Sequence, residues 1–243
     1  MEGHTVRTFD GDILALRMRV LEIGGLAIDQ VQRAVQALVQ GDDEAARAVM
    51  VRDAQIADYA RTIEEDTVGL VARRQPVASD LRAILTVGKV ATELERVGHG
   101  ARKIARLGIE LHETGGDAPL QRFHHDVRKI SRLALSMLRD ALDCFDRVDL
   151  ADAERVARRD EEIDAEFRLA LRGLVTYLLE DQHYIRSIIQ TVFLMKALER
   201  IGDHARSIAL AVPRLVRRGE AEAAAKDEPA PGPHVTPRAQ SNA

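Results

Sequence analysis

Glu95 and His99 stand four residues apart, and so do Glu199 and Asp203. On a helix that spacing points both side chains the same way, one turn from each other. Asp53 and Asp160 are acids where apolar residues belong. Asp53 lies four residues after Val49 and three before Ile56; Asp160 lies in the same way between Val156 and Ile163, with Asp164 one turn further on. A carboxylate left unpaired on a buried helix face costs on the order of several kcal/mol. Something must compensate for it. Arginine is one answer, and Arg52, Arg96, Arg102 and Arg159 are close in sequence. A metal ion is the other, because acids on adjacent turns, joined by Asp from a second helix, make an oxygen-rich surface suited to Mg, Mn, Fe or Zn. The spacing alone leaves both open.

Other chemistry finds little support. The chain has no glycine-rich phosphate loop, no Gly-x-Ser-x-Gly elbow and no His-Glu-x-x-His. Glu180 and His183 have the Glu-x-x-His spacing of di-iron bundles, but they fall at a seam between helices and have no counterpart in the first half of the chain. His124 and His125 open a helix and read as solvent-facing. Cys144, the single cysteine, sits on an apolar stripe and reads as a small core residue. One cysteine also excludes an intrachain disulfide and a cysteine metal cage.

Helices must position these side chains. Ile13, Leu16, Val20, Ile23, Ala27, Val31, Ala34 and Leu38 recur at spacings of three and four, which is one helix face held over about seven turns. Phe123, Val127, Ile130, Ala134, Met137, Ala141 and Cys144 repeat the pattern, and Val87, Val90, Leu94, Val97, Ala101 and Ile104 form a third stripe. Asp42 and Asp149 each follow a first stripe closely, where an acid caps the next helix and complements its dipole. Pro76, Gly115-Gly116 and Pro119 mark loops. Long helices joined by loops this short run antiparallel to their neighbours.

The helices come in two sets. Val20, Ile23, Ala27, Ala34, Asp42, Val49, Asp53 and Ile56 correspond to Val127, Ile130, Ala134, Ala141, Asp149, Val156, Asp160 and Ile163, each 107 positions later. Leu94-Glu95-Arg96-Val97-Gly98-His99 corresponds to Leu198-Glu199-Arg200-Ile201-Gly202-Asp203 at an offset of 104. A period this long exceeds any solenoid unit, so a whole domain is duplicated. The expected architecture is all-α, with six helices in two tandem, pseudo-symmetric three-helix bundles over residues 1–112 and 113–218. A Pro- and Ala-rich tail over residues 219–243 is expected to be disordered. Composition agrees: 46% of residues are hydrophobic but only 3% aromatic, with no Trp, as in helices packed on helices. The net charge of −4, with no long basic block, speaks against nucleic-acid binding. Residues 1–10 are polar and no apolar run reaches membrane-spanning length, so the chain reads as cytoplasmic.

The doubled Leu-Glu-Arg-Val/Ile-Gly-His/Asp segment resembles the signature of the PhoU family, regulators of phosphate transport. So do Gln75-Pro76-Val77-Ala78-Ser79-Asp80-Leu81-Arg82 and the opening His4, Phe9-Asp10 and Ile13. The resemblance covers roughly residues 4–217. It implies a negative regulator of the phosphate-starvation response and of phosphate uptake, not an enzyme. Such a protein couples the ATPase subunit of a phosphate ABC transporter to a phosphate-sensing histidine kinase. It is expected as a homodimer that meets the membrane only through its partners. Family members bind multinuclear metal clusters on the acidic surface, with Fe or Zn expected first and Mn or Mg as alternatives. Carried over, Glu95, Glu199 and Asp203 match the motif, with Asp53 and Asp160 on the neighbouring helices and Asp164, by its spacing, one turn beyond Asp160. His99 stands where the family has Asp; imidazole suits Fe or Zn but is a poor partner for Mg. The second site is therefore expected to hold metal more tightly. With no phosphate loop in the chain, phosphate sensing is expected in the transporter. Two rival readings stand beside this one. A carboxylate-bridged di-metal enzyme would need paired Glu-x-x-His in a four-helix bundle, and a metal-free adaptor would pair its acids with Arg.

Overall fold

Asp42 and Asp149 both do what their positions suggest. The Asp42 carboxylate accepts a hydrogen bond from the Ala45 amide at 2.9 Å, and Asp149 from the Asp152 amide at 3.0 Å, each starting the second helix of its set. Replacing Asp149 by Ala is expected to lower stability by about 1 kcal/mol, read as a reduced midpoint in urea unfolding at unchanged slope. Just before these caps the chain turns through a left-handed residue, Gly41 (φ 68°) in the first set and Val148 (φ 55°) in the second.

The computed structural model describes residues 2–76, 78–113 and 121–216, without the side chains of residues 2–10. The first bundle comprises α1 (Glu2–Gln40), α2 (Asp43–Arg74) and α3 (Ala78–Glu113). The second comprises α4 (His124–Arg147), α5 (Leu150–Arg158), α6 (Asp160–Glu180) and α7 (Ile185–Ala209), closed by a 3₁₀ turn, Val212–Leu215. No strand occurs among the described residues. Pro76 lies between α2 and α3 as read from sequence, whereas the expected loop at Gly115-Gly116 and Pro119 and the expected tail lie outside the described residues.

The apolar stripes become the core. Val20, Ile23, Ala27, Val31 and Ala34 of α1 are inaccessible, as are Val87, Val90, Leu94, Val97, Ala101 and Ile104 of α3. Val127, Ile130, Ala134, Met137 and Ala141 of α4 and Leu194, Leu198, Ile201 and Ala205 of α7 repeat this in the second bundle. Within each bundle all three helical segments touch one another, and the bundles join along α3–α7 and α1–α4. Among the described residues, no helix is long and apolar enough to cross a membrane.

One element differs from the sequence reading. The fifth helix is broken at Arg159, whose amide bonds to Val156 O rather than continuing the four-residue ladder. The Arg159 side chain reaches back to Asp140 and Ser136 on α4. Its counterpart Arg52 instead pairs with Asp29 at 3.7 Å in the open, and α2 runs through unbroken. The break leaves Asp160 in the first turn of α6, where the helix dipole favours a negative charge.

Candidate functional site

The glycine inside each motif sets how close the second helix can come. A Cβ on Gly98 would lie 3.1 Å from Ile56 and 3.4 Å from Asp53 Oδ1; one on Gly202 would lie 2.6 Å from Ile163 and 3.6 Å from Asp160 Oδ1. With only hydrogen there, α2 settles on α3 and the α5–α6 segment on α7, and each brings its buried Asp against the motif helix. Asp53 is 4% exposed and Asp160 7%, so both acids are on the buried face, as their spacing requires.

The compensation is partial, and it repeats. Asp53 Oδ2 lies 3.3 Å from Arg102 Nη1 and 3.7 Å from His99 Nε2. Asp160 Oδ2 lies 3.8 Å from Arg206 Nη1, and Arg206 is the counterpart of Arg102. The other oxygen of each, Asp53 Oδ1 and Asp160 Oδ1, is buried with no hydrogen-bond partner. Of the four arginines near in sequence, only Arg102 serves a motif acid. Arg96 turns to Glu93, Arg52 to Asp29 and Arg159 to Asp140.

The second bundle concentrates more charge. Glu199 is 5% exposed; Lys196 Nζ donates to its Oε1, while Oε2 is buried without a partner. Burial pushes the Glu199 carboxyl above the ordinary range. The Lys196 hydrogen bond opposes this, and the negative charges of Asp203 and Asp164 add to it. Asp160 is raised by burial first and then by Asp203 and Asp164, against the pull of Arg206 and Lys196. Asp160, Asp164, Glu199 and Asp203 thus share one electrostatic neighbourhood. Of the corresponding residues in the first bundle, Asp53 is buried, Glu95 half-buried and His99 exposed.

A cation fits each acidic face in charge and in donor chemistry, since one buried carboxylate oxygen in the first bundle and two in the second have no hydrogen-bond partner. Yet among the described residues no group of three or more His, Cys, Asp or Glu side chains stands ready to hold a metal ion. The carboxylates share a neighbourhood without forming a preassembled ligand set.

The remaining sequence candidates are structural. Cys144 is buried and its thiol is pushed up by that burial, which keeps it in the unreactive protonated form. Asp181 caps a short 3₁₀ turn by accepting from the His183 amide, so the Glu180–His183 stretch is the seam between α6 and α7. His125 is exposed, but His124 is half-buried, and that burial, with Arg128 beside it, pushes its pKa down. The sequence reading passed over Glu93 and His204, which meet across the two bundles at 2.8 Å. Glu93 does fall on the apolar stripe, three after Val90 and four before Val97. Its counterpart is Ala197, so a search for duplicated acids misses it.

Fold and site together define a tandem three-helix-bundle protein with an acidic Leu-Glu-Arg-x-Gly motif on the last helix of each bundle. The PhoU domain matches it twice, over residues 20–108 and 127–212, and the chain belongs to the PhoU family. It is 44% identical over 214 residues to the phosphate-specific transport system accessory protein PhoU homolog of Pseudomonas putida, covering 88% of this chain and 82% of that one. It is 33% identical over 208 residues to the phosphate-specific transport system accessory protein PhoU of Escherichia coli K12, covering 86% and 85%. Among solved structures, PhoU from Pseudomonas aeruginosa superposes with a TM-score of 0.81 at 42% identity, over 86% of this chain and 99% of that one. The phosphate transport system regulatory protein PhoU from Streptococcus pneumoniae gives 0.77 at 28% identity, over 85% and 96%.

Proposed function

We propose that this chain is a phosphate transport accessory protein that holds the phosphate-starvation response and phosphate uptake in check. It acts in the cytoplasm without catalysing a reaction, as a homodimer that couples the ATPase subunit of a phosphate ABC transporter to a phosphate-sensing histidine kinase. The observation that carries this reading is the double PhoU match, with relatives named as accessory proteins of phosphate-specific transport aligned over most of both chains. Deleting the gene is expected to leave phosphate-starvation promoters active in high phosphate, and the intact gene to restore repression. A reporter that stays silent in the deletion strain would overturn the regulatory role. Recovery of the ATPase subunit and the kinase with tagged protein checks the partners.

The acidic surface belongs to the same reading. Asp160, Glu199, Asp203 and Asp164 would hold a divalent or transition metal ion in the second bundle, and Asp53, Glu95 and His99 one in the first. Such an ion supplies the positive charge that the unpartnered oxygens of Asp53, Asp160 and Glu199 lack. Because the second bundle buries two motif acids against one in the first, it is the tighter site. Elemental analysis of chelator-free protein is expected to show metal that Glu199→Ala loses in greater part than His99→Ala does. Equal metal content in wild type and Glu199→Ala would show that the acids are structural. The di-metal enzyme reading is disfavoured by the place of Glu180 and His183, at the seam rather than inside a four-helix core.

A further inference from the structure

Each motif helix carries a second row of side chains, one position beyond the acids. On α3 this row holds Arg96, Gly100 and Lys103, and on α7 Arg200 and His204. The acidic row faces the second helix of its own bundle and the basic row faces the other bundle, with His99 on the border between them. Where α3 crosses α7, a Cβ on Gly100 would lie 3.2 Å from Ile201 and 3.9 Å from Ala197 O, so the two helices meet closely there. Beside that crossing lies an open cleft of about 510 Å³, lined by Arg96, His99, Lys103, Arg200 and His204 around Gly100, Ala197 and Ile201. Among the described residues no carboxylate lines it.

The charges in this cleft are only partly answered. Glu93, 7% exposed, lies against His204 at 2.8 Å and Arg96 at 3.5 Å, and His99 leans to Asp53 at 3.7 Å. Arg200 has no ion pair among the described residues, and Lys103 stacks its ammonium over the Phe193 ring at 5.6 Å without a carboxylate. Arg96 and Arg200 are the same position of the duplicated motif, so pseudo-symmetry delivers one guanidinium to the cleft from each bundle. Like charges converging on one concave surface repel one another, and an anion between them relieves that repulsion. The planar guanidinium fork matches the oxygens of a phosphoryl group, and Lys adds a point charge. A volume of about 510 Å³ is that of a small-ligand site, ample for more than one phosphoryl group and too local for a nucleic-acid track.

We propose that the cleft between α3 and α7 binds a phosphoryl-bearing anion, held by Arg96, Arg200 and Lys103. The inference goes beyond the regulatory reading and stands on this cleft alone. It would give the protein a direct ligand at the joint between its bundles, on a different face of the motif helices from the acids.

Calorimetric titration of the full chain with inorganic phosphate, tripolyphosphate and ATP, in chelator at low ionic strength, tests it. Binding is expected to weaken about tenfold or more in Arg200→Ala and in Lys103→Ala. Arg61→Ala, which removes an exposed cation of α2, is expected to leave it within about twofold. Tighter binding of ATP than of the two inorganic anions identifies a nucleotide as the source; equal or better binding of the inorganic anions identifies free phosphate or its polymer. Circular dichroism confirms that each variant is folded. The proposal is overturned if none of the three binds more tightly than about 10 mM. It is equally overturned if Arg61→Ala costs as much as Arg200→Ala, or if citrate or an acidic peptide binds better than every phosphoryl ligand.

Discussion

Replacing Asp160 by Asn is expected to raise the melting temperature of the metal-free protein at neutral pH, by about 2–4 °C for each kcal/mol gained in a chain of this size. Asp160 is buried, one oxygen has no partner, and its ion-pair partner among the described residues, Arg206, stands 3.8 Å away. Burial and the charges of Asp203 and Asp164 raise its pKa above the ordinary carboxylate value. The folded state therefore binds a proton more readily than the unfolded chain does. Where the folded group is protonated and the unfolded one is not, stability falls as pH rises. Acidifying the wild type from neutrality towards about pH 4, where the unfolded carboxylates also protonate, should recover stability at this site. The amide of Asn has no charge to desolvate, so the advantage of the variant should shrink over the same interval. A divalent cation should then reverse the order, because it stabilises only the chain that binds it. Thermal melts of both proteins, with and without metal, across mildly acidic pH read all three effects. A lower melting temperature for Asp160→Asn in chelator would mean that the Arg206 pair outweighs the desolvation, and would remove the case for a cation there.

Much of this site is legible in the sequence. Asp53 and Asp160 announced themselves because a charged residue occupied a slot in an otherwise apolar stripe, and periodicity is a strong signal over many turns. The duplication sharpened it, since two positions breaking the pattern in the same way are informative where one is not. The break at Arg159 left no comparable trace. Arg52 and Arg159 are the same residue type at the same register, and neither Gly nor Pro flags the interruption. What differs is the partner across the groove. Asp140 and Ser136 receive Arg159 on α4, whereas Arg33 and Asp29 occupy those positions on α1 and already pair with each other at 2.6 Å. Tertiary pairing of this kind overrides local propensity. The basic cleft was hidden for a related reason. In sequence Arg96 is one of several arginines near the buried acids and Arg200 carries no signal of its own, and it is the crossing of α3 on α7 at Gly100 that brings the two together.

Glu93 ties that crossing together, and its removal is expected to cost measurable stability. It sits on the inner stripe of α3, 7% exposed, and receives His204 of α7 at 2.8 Å, with Arg96 at 3.5 Å on its own helix. His204 is itself largely enclosed, its side chain 13% exposed. Truncating Glu93 to Ala therefore leaves a largely enclosed imidazole without its partner, which costs about 1–3 kcal/mol. Glu93→Gln keeps an oxygen facing His204 and should lose less. Arg96 is 57% exposed, so Arg96→Ala should cost under about 1 kcal/mol. A double-mutant cycle isolates the cross-bundle term: Glu93→Ala and His204→Ala, singly and together, should show a coupling of about 0.5–3 kcal/mol in urea unfolding. The second bundle places Ala197 where the first has Glu93, so pseudo-symmetry offers no matching pair to take up the loss. Additive effects of the two substitutions would show that the contact contributes nothing beyond packing. In that case the joint between the bundles rests on the apolar crossing of α3 and α7 at Gly100 and Ile201, with α1 on α4.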